Sequence, residues 1–229
     1  MNRFLYKLEK AIQKVAIPNL MLYVTAGMLI TYILSYLMPG VVVFMGQETN
    51  ILGILSLDRS ALFAGQVWRL ITYIFLPPSS SPIFVIISLY FYYFIGTNLE
   101  REWGTARFNL YYLLGMLGAT VAALVTGYGT NMYLNYSLFF AFAVLFPDMR
   151  VMLFFVIPIK MKYLGYLNAG FFVISLILGT WATRAAIVMS LINFFLFFGG
   201  DFIRRIREQQ RYAATRRNFR RQMNNNHWQ

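Results

Sequence analysis

The chain has 229 residues, of which 59% are hydrophobic and only 12% charged, and it carries a formal net charge of +12. This composition leaves too little polar surface to cover a soluble globule of this length, so it excludes an ordinary water-soluble domain. The sequence contains no cysteine, which excludes disulfides, thiolate catalysis and cysteine-ligated metal. We therefore expect an all-α polytopic membrane protein.

The first 18 residues predict an amphipathic helix rather than a cleavable signal peptide. Apolar residues alternate with basic ones through this segment: Phe4, Leu5, Leu8, Ile12 and Val15 with Arg3, Lys7, Lys10 and Lys14. A basic amphipathic helix of this kind lies along a membrane surface. We expect residues 1–18 to form a cytoplasmic amphipathic N-terminal segment.

Six apolar stretches follow, each as long as a membrane-spanning helix or nearly so. They lie at residues 20–44, 83–97, 108–127, 132–146, 163–180 and 185–200. The second and fourth are short, which suits helices enclosed by neighbours better than helices facing lipid. The sequence thus predicts a six-transmembrane-helix bundle over residues 19–200 and a basic cytoplasmic tail over residues 201–229.

The basic residues orient this bundle. Six spans place both termini on one side, and if that side is the cytoplasm it holds every lysine and arginine except Arg59, Arg69 and Arg184. This is the distribution that the positive-inside rule expects. We predict an integral membrane protein with both termini in the cytoplasm, in a bacterial inner (plasma) membrane.

The connection between the first two spans, residues 45–82, is more apolar than a simple linker. It contains the clusters Ile51, Leu52, Ile54, Leu55 and Leu57, interspersed with a few charged residues. Such a segment is expected to lie partly in the outer membrane interface. Two interpretations stay open: the loop positions a substrate or partner helix, or it is a passive interfacial loop.

Two short motifs flank the second span. Trp68 and Arg69 pair an amphipathic ring with a fixed guanidinium, a combination that can anchor a loop at the interface. Gly96, Glu100 and Gly104 have the spacing G-x-x-x-E-x-x-x-G, in which small residues allow close helix packing and the carboxylate can tie the following turn.

A third motif, LFPDMRVMLFFVIPIKMKYLGYL, begins at Leu145. Pro147 can end the fourth helix, and Pro158 can initiate the return into the membrane. Together the three motifs resemble bacterial members of the rhomboid superfamily over roughly residues 60–200. The segments QVWRLIT and SLYFYYFIGTNLE also resemble derlins. The resemblance implies a rhomboid-like six-helix bundle.

The catalytic pair that the resemblance implies is not recognisable. Rhomboid proteases use a serine in G-x-S-G near the start of the fourth helix and a histidine on the sixth. Matching the LFP end places Met132 near the serine position, and Ser137, a weak serine candidate, lies more than a turn deeper. The single histidine, His227, lies in the polar tail.

Other polar residues of the spans do not supply the missing chemistry. Ser190 and Asn193 lie near the position of the family's histidine, and neither can act as a general base near neutral pH. Phe84 and Ser88 lie near the positions of its oxyanion-supporting His and Asn, and Phe84 cannot donate a hydrogen bond. Ser88, Ser190 and Asn193 are candidates for client contact or interhelical hydrogen bonds. No motif for a metal or cofactor is evident, and we expect neither.

The tail combines arginine with aromatic residues. Aromatic Tyr212, Phe219 and Trp228 are interleaved with basic residues, a composition that suits RNA, while juxtamembrane arginines also attract anionic lipid. The arginines are Arg204, Arg205, Arg207, Arg211, Arg216, Arg217, Arg220 and Arg221.

Three functions compete. The leading hypothesis is a noncatalytic, derlin-like membrane protein that binds transmembrane clients or partners and affects their handling or stability. The first alternative is an intramembrane serine protease with an atypical site. The second is a membrane anchor whose arginine-rich tail binds anionic lipid or RNA.

Overall fold

The computed structural model describes residues 3–38, 40, 42–44, 47–153 and 157–198. Its helices, in chain order, are α1 (Arg3–Ile12), α2 (Leu20–Leu37), α3 (Ile51–Leu55), α4 (Arg59–Phe63), α5 (Arg69–Thr72), α6 (Pro82–Trp103), α7 (Thr105–Thr126), α8 (Met132–Leu145), α9 (Met161–Leu178) and α10 (Trp181–Phe198). Short antiparallel pairs join β1 (Val42–Phe44) to β2 (Gln47–Thr49), β3 (Leu57–Asp58) to β4 (Tyr128–Gly129), and β5 (Arg150–Leu153) to β6 (Ile157–Lys160).

Five of these helices, α2, α6, α7, α9 and α10, are long and apolar enough to cross a membrane, and α8 is a shorter apolar helix. The predicted all-α membrane bundle is therefore confirmed, and the protein is an integral membrane protein. The amphipathic α1 precedes the bundle, and its Leu5 is buried in the common core.

Two of the predicted spans have different ends in the structure. The first was expected to reach residue 44, but α2 ends at Leu37, because Pro39 disfavours a helical conformation at the preceding residue. The second was expected to be short, yet α6 has 22 residues. Its charged residues Glu100 and Arg101 continue the helix, which ends where Gly104 adopts a φ of 81°.

The fourth apolar helix, α8, is the short one, as predicted. Its 14 residues give a length of about 21 Å at 1.5 Å per residue, which is less than the hydrocarbon thickness of about 30 Å. It contacts α6, α7 and α9, and Phe140 packs against Phe194 of α10 at a ring distance of 5.8 Å. Since neighbouring helices enclose α8, it does not need to span the lipid by itself.

One end of the bundle, called here the Gly127 end, carries the long loop between α2 and α6. Leu57 and Asp58 pair with Gly129 and Tyr128. The Asn131 amide donates to the carbonyl oxygens of Ile74 at 3.1 Å and Leu76 at 2.9 Å. The loop is thus held against the beginning of α8.

The other end, called here the Trp103 end, carries the turn between α6 and α7. Oε1 of Glu100 accepts hydrogen bonds from the backbone N–H of Asn19 and from the Thr105 hydroxyl, both at 2.9 Å. Asn109 exchanges two hydrogen bonds with the backbone of Ile17, at 3.0 and 2.9 Å. These contacts fasten the segment between α1 and α2 to the turn. The sequence motif identified Glu100 but gave no sign of Asn109.

The connection between α8 and α9 is a hairpin. Pro158, which was expected to initiate the return into the membrane, pairs with Met152 inside β6, and α9 starts at Met161, two residues before the predicted start of the fifth span. Asp148 lies 3.1 Å from Nζ of Lys160 at the base of this hairpin. The hydrogen bond and charge of Lys160, with a further contribution from Lys162, lower the pKa of Asp148.

Gly96 of α6 packs closely against α2. A Cβ atom at Gly96 would collide with the buried side chain of Met21. The helical Gly170 of α9 provides a contrast, because nothing lies within 4 Å of a Cβ added there. The missing side chain at Gly96 therefore permits the close approach of the two helices.

We predict that Gly96→Ala lowers the free energy of unfolding by about 1–3 kcal/mol, because the new methyl group displaces Met21. The matched substitution Gly170→Ala should leave stability unchanged or raise it slightly, since alanine favours the helix. Thermal unfolding of both variants in the same detergent measures the difference. Equal losses of stability would contradict the close packing.

Candidate functional site

A cavity of about 200 Å³ lies between α7, α8 and α10. The exposed Tyr128 and Thr180 lie at its mouth, at the Gly127 end of the bundle. The buried Ser137, Ser190 and Asn193 form its polar floor. The structure thus brings together three polar residues that the sequence offered as separate candidates.

Ser137 is tied into the packing of the bundle. Its side chain is 1% exposed, and its hydroxyl is hydrogen-bonded to the hydroxyl of Tyr111 on α7. The Tyr111 hydroxyl also donates to the carbonyl oxygen of Ser137 at 3.0 Å. The sequence gave no sign of this partner, because Tyr111 lies among other apolar and aromatic residues of α7.

The two polar residues of α10 also form interhelical hydrogen bonds. The Ser190 hydroxyl donates to the carbonyl oxygen of Tyr133 on α8 at 2.9 Å. Nδ2 of Asn193 donates to the carbonyl oxygen of Tyr111 on α7 at 3.2 Å. The floor of the cavity is therefore a set of hydrogen bonds that joins α7, α8 and α10.

The Rhomboid domain family model matches residues 64–200, which is more than half of the chain. The chain belongs to the rhomboid family. No curated protein matches it. The resemblance leads us to expect the family's serine and histidine on the fourth and sixth helices, and the cavity lies between α8 and α10, the fourth and sixth apolar helices of the bundle.

The residues at the expected positions of the rhomboid serine and oxyanion donors lie away from the polar floor of the cavity. Met132, near the expected serine position, is the first residue of α8 and is 38% exposed. Ser137 lies five residues farther along the helix, about 7.5 Å deeper. Phe84 is 53% exposed, Ser88 is half-buried, and neither of these α6 residues lines the cavity.

The polar groups among the described lining residues of the cavity are hydroxyls and one side-chain amide. Hydroxyls and amides can donate and accept hydrogen bonds but do not take up a proton near neutral pH. His227 and the eight tail arginines, from Arg204 to Arg221, lie outside the residues that the structure describes.

The rhomboid Trp-Arg pair organises the loop at the Gly127 end. Arg69 is only 5% exposed, and its Nη1 donates to the carbonyl oxygens of Gly53 at 2.5 Å and Ser56 at 2.6 Å. Its Nε donates to Oε1 of Gln66 at 2.8 Å. Burial lowers the pKa of Arg69, and the nearby charge of Asp58 partly opposes that shift.

Trp68 acts on the same part of the loop. Its indole N–H points to the carbonyl oxygen of Ile54 at 3.4 Å. Thr72, one helical turn later, donates to the carbonyl oxygen of Leu55 at 3.1 Å. Side chains of α5 and its preceding residue thus bind successive carbonyl groups at the end of α3, which fixes the loop above the bundle.

We predict that Arg69→Met loosens this loop, because it leaves the carbonyl oxygens of Gly53 and Ser56 without their donor. Amide hydrogen exchange of residues 51–58 should become at least about tenfold faster, as the loss of about 1.4 kcal/mol implies. The control is Arg59→Met, since Arg59 is exposed and its Nη1 donates only at 3.3 Å, to Leu124. Unchanged exchange in Arg69→Met would contradict this role.

Proposed function

We propose that the protein is a noncatalytic, derlin-like rhomboid that binds transmembrane clients and affects their handling or stability. The observation that carries the proposal is the cavity between α8 and α10. It lies between the helices that are expected to carry the rhomboid serine and histidine. Its described lining offers hydroxyl and amide groups, whereas catalysis requires a nucleophile and a base.

The geometry around Ser137 supports binding rather than catalysis. A serine nucleophile needs a base within about 2.6–3.2 Å that accepts its proton near neutral pH. The close side-chain partner of Ser137 is the hydroxyl of Tyr111, and a phenol has an ordinary pKa of about 10. Ser190 uses its own hydroxyl to bind Tyr133. The residues of the floor hold helices together and do not form an acid–base pair.

The distribution of charge supports an orientation for the proposed function. Arg101, Arg107, Arg150, Lys160 and Lys162 lie at the Trp103 end of the described bundle. The positive-inside rule assigns this end to the cytoplasm of a bacterial plasma membrane. The cavity then opens towards the outside, and clients reach it from the outer half of the bilayer.

Reconstitution in liposomes with a panel of single-span rhomboid substrates tests the proposal. We expect no cleavage and stable photo-crosslinks between substrate and protein, because the cavity offers hydrogen bonds without a base. In Ser137→Ala we also expect no cleavage. Cleavage that disappears in Ser137→Ala would overturn the proposal and establish an atypical protease, and substrates that fail to crosslink above a scrambled-span control would also overturn it.

A separate observation favours anionic lipid as a partner of the cytoplasmic side. Lys7, Lys10 and Lys14 are exposed on or just after α1, which packs against α7. The last described residue, Phe198, contacts Trp103, and the basic tail follows Phe198 in the sequence. Each such residue near a surface contributes about 1 kcal/mol of attraction to anionic lipid.

We predict that deletion of the residues after Arg207 weakens binding of the detergent-solubilised protein to anionic vesicles and that raised salt weakens the binding of the full chain. Cosedimentation with anionic and neutral vesicles measures this effect. If the deletion removes RNA binding but leaves vesicle binding intact, the tail is an RNA-binding segment instead.

A further inference from the structure

The turn between α9 and α10 lies at the membrane boundary of the Gly127 end. The 18 residues of α9 give a length of about 27 Å, close to the hydrocarbon thickness of about 30 Å. Leu178, the last residue of α9, and Trp181, the first of α10, are both 80% exposed. An exposed indole directly after an apolar helix is typical of the depth at which acyl chains meet headgroups.

Arg184 folds back over this turn. Its Cζ lies 5.6 Å from the centre of the Trp181 ring, and its Nη2 donates to the carbonyl oxygen of Ile177 at 2.8 Å. The backbone N–H of Arg184 donates to the carbonyl oxygen of Thr180 at 2.9 Å. These contacts hold the charge of Arg184 beside the exposed indole, at the depth of the headgroups.

The part of the chain that the structure describes provides no carboxylate for this charge. The ion pairs between described residues all involve Asp148, at the Trp103 end of the bundle. Arg184 also lies in the first turn of α10, where the partial positive charge of the helix N-terminus disfavours a cation. An anion that approaches from outside the protein would therefore be attracted by both the guanidinium and the helix.

The chemistry of the guanidinium indicates which anion fits. Arginine presents a planar fork of N–H donors, and the single bond to Ile177 leaves other donors of Arg184 for a ligand. Phosphate oxygens match this fork in geometry and charge. A phosphate group is therefore the anion that suits the site.

The surface below Arg184 favours a phospholipid over free phosphate. Ile174 and Val188 are exposed and apolar, and each lies about one helical turn deeper in the membrane than Leu178 and Arg184, respectively. Acyl chains can pack against these side chains while the headgroup reaches Arg184. A zwitterionic headgroup would bring a second cation to the site, so an anionic phospholipid is preferred.

We propose that Arg184 and Trp181 form a binding site for the phosphate group of an anionic phospholipid in the leaflet at the Gly127 end. The guanidinium binds phosphate oxygens, and the acyl chains lie along the exposed residues of α9 and α10. Thr180 and Thr183 of the same turn line the cavity, so the bound headgroup lies beside its mouth. This site goes beyond the proposed client binding and does not depend on it.

Fluorine NMR of the full chain labelled with 5-fluorotryptophan tests the site. The sequence has four tryptophans, and the resonance that is missing in Trp181→Phe belongs to Trp181. In micelles of an uncharged detergent, we expect phosphatidylglycerol to shift this resonance saturably. Diacylglycerol, which has chains but no phosphate, and inorganic phosphate, which has no chains, should leave it in place.

Protein variants assign the binding to Arg184. Arg184→Gln should weaken the apparent affinity for phosphatidylglycerol about fivefold, as expected for the loss of one basic contact at a membrane surface. Arg59→Gln is the matched control, since Arg59 is also exposed at the Gly127 end and its Nη1 donates to a backbone carbonyl, that of Leu124. This control should bind like the wild type. The resonance of Trp228 reports separately on lipid that binds the basic tail.

Each contrary result overturns a defined part of the inference. A Trp181 resonance that does not respond to phosphatidylglycerol, or that responds equally to diacylglycerol, would overturn the headgroup site. A saturable response to inorganic phosphate alone would establish a free-anion site instead of a lipid site. Unchanged affinity in Arg184→Gln, or an equal loss in Arg59→Gln, would overturn the role of Arg184.

The measurement stays decisive if Arg184→Gln does not fold, because the three ligands can still be compared on the wild-type protein. No client enters the experiment, so its failure is distinguishable from a failure of the proposed function.

Discussion

A polar group at membrane depth must find its hydrogen-bond partner inside the protein, since lipid offers none. Where α7, α8 and α10 meet, two hydroxyls and one amide nitrogen meet this requirement, while Oδ1 of Asn193 has no partner among the described residues. Hydroxyls of α7 and α10 bind α8, and an amide of α10 binds the backbone of α7. These bonds join three helices rather than two, and the residues that make them on α8 and α10 line the cavity.

The same constraint acts at the Gly127 end, where an irregular loop must cover the bundle without leaving backbone carbonyls unpaired. The guanidinium of Arg69 binds two of these carbonyl oxygens and the side-chain oxygen of Gln66 at once, because its donors point in several fixed directions. A lysine could not bind the same three oxygens in this geometry. These hydrogen bonds from Arg69 therefore hold the loop in one conformation at the Gly127 end.

The sequence predicted the fold well, because a long apolar segment by itself indicates a membrane helix. The ends of the helices depend on individual residues, which hydropathy does not resolve. The predicted second span ends at residue 97, before the charged Glu100 and Arg101, since charge usually marks the membrane boundary. A helix can continue past that boundary until a residue such as Gly104 stops it. The pairing of Pro158 with Met152 was not predicted, because it depends on a hairpin that hydropathy does not show.

The site was predictable only in part, for a related reason. Ser137, Ser190 and Asn193 are conspicuous as polar residues in apolar spans, so sequence could nominate them. Their partners are backbone carbonyls and the hydroxyl of Tyr111, and these depend on the rotation of each helix about its axis. Periodicity does not determine that rotation when a helix is apolar on every face.

The depth of Ser137 links the architecture to the proposed function. A proteolytic serine must meet the substrate backbone near the mouth of the site and pass its proton to a base. At the expected position α8 carries Met132, and the hydroxyl that is present lies about 7.5 Å deeper, engaged with Tyr111. To react, Ser137 would have to leave a bond that helps to hold α7 against α8. Chemistry and stability therefore compete for the same hydroxyl, and this arrangement favours a site that binds without cutting.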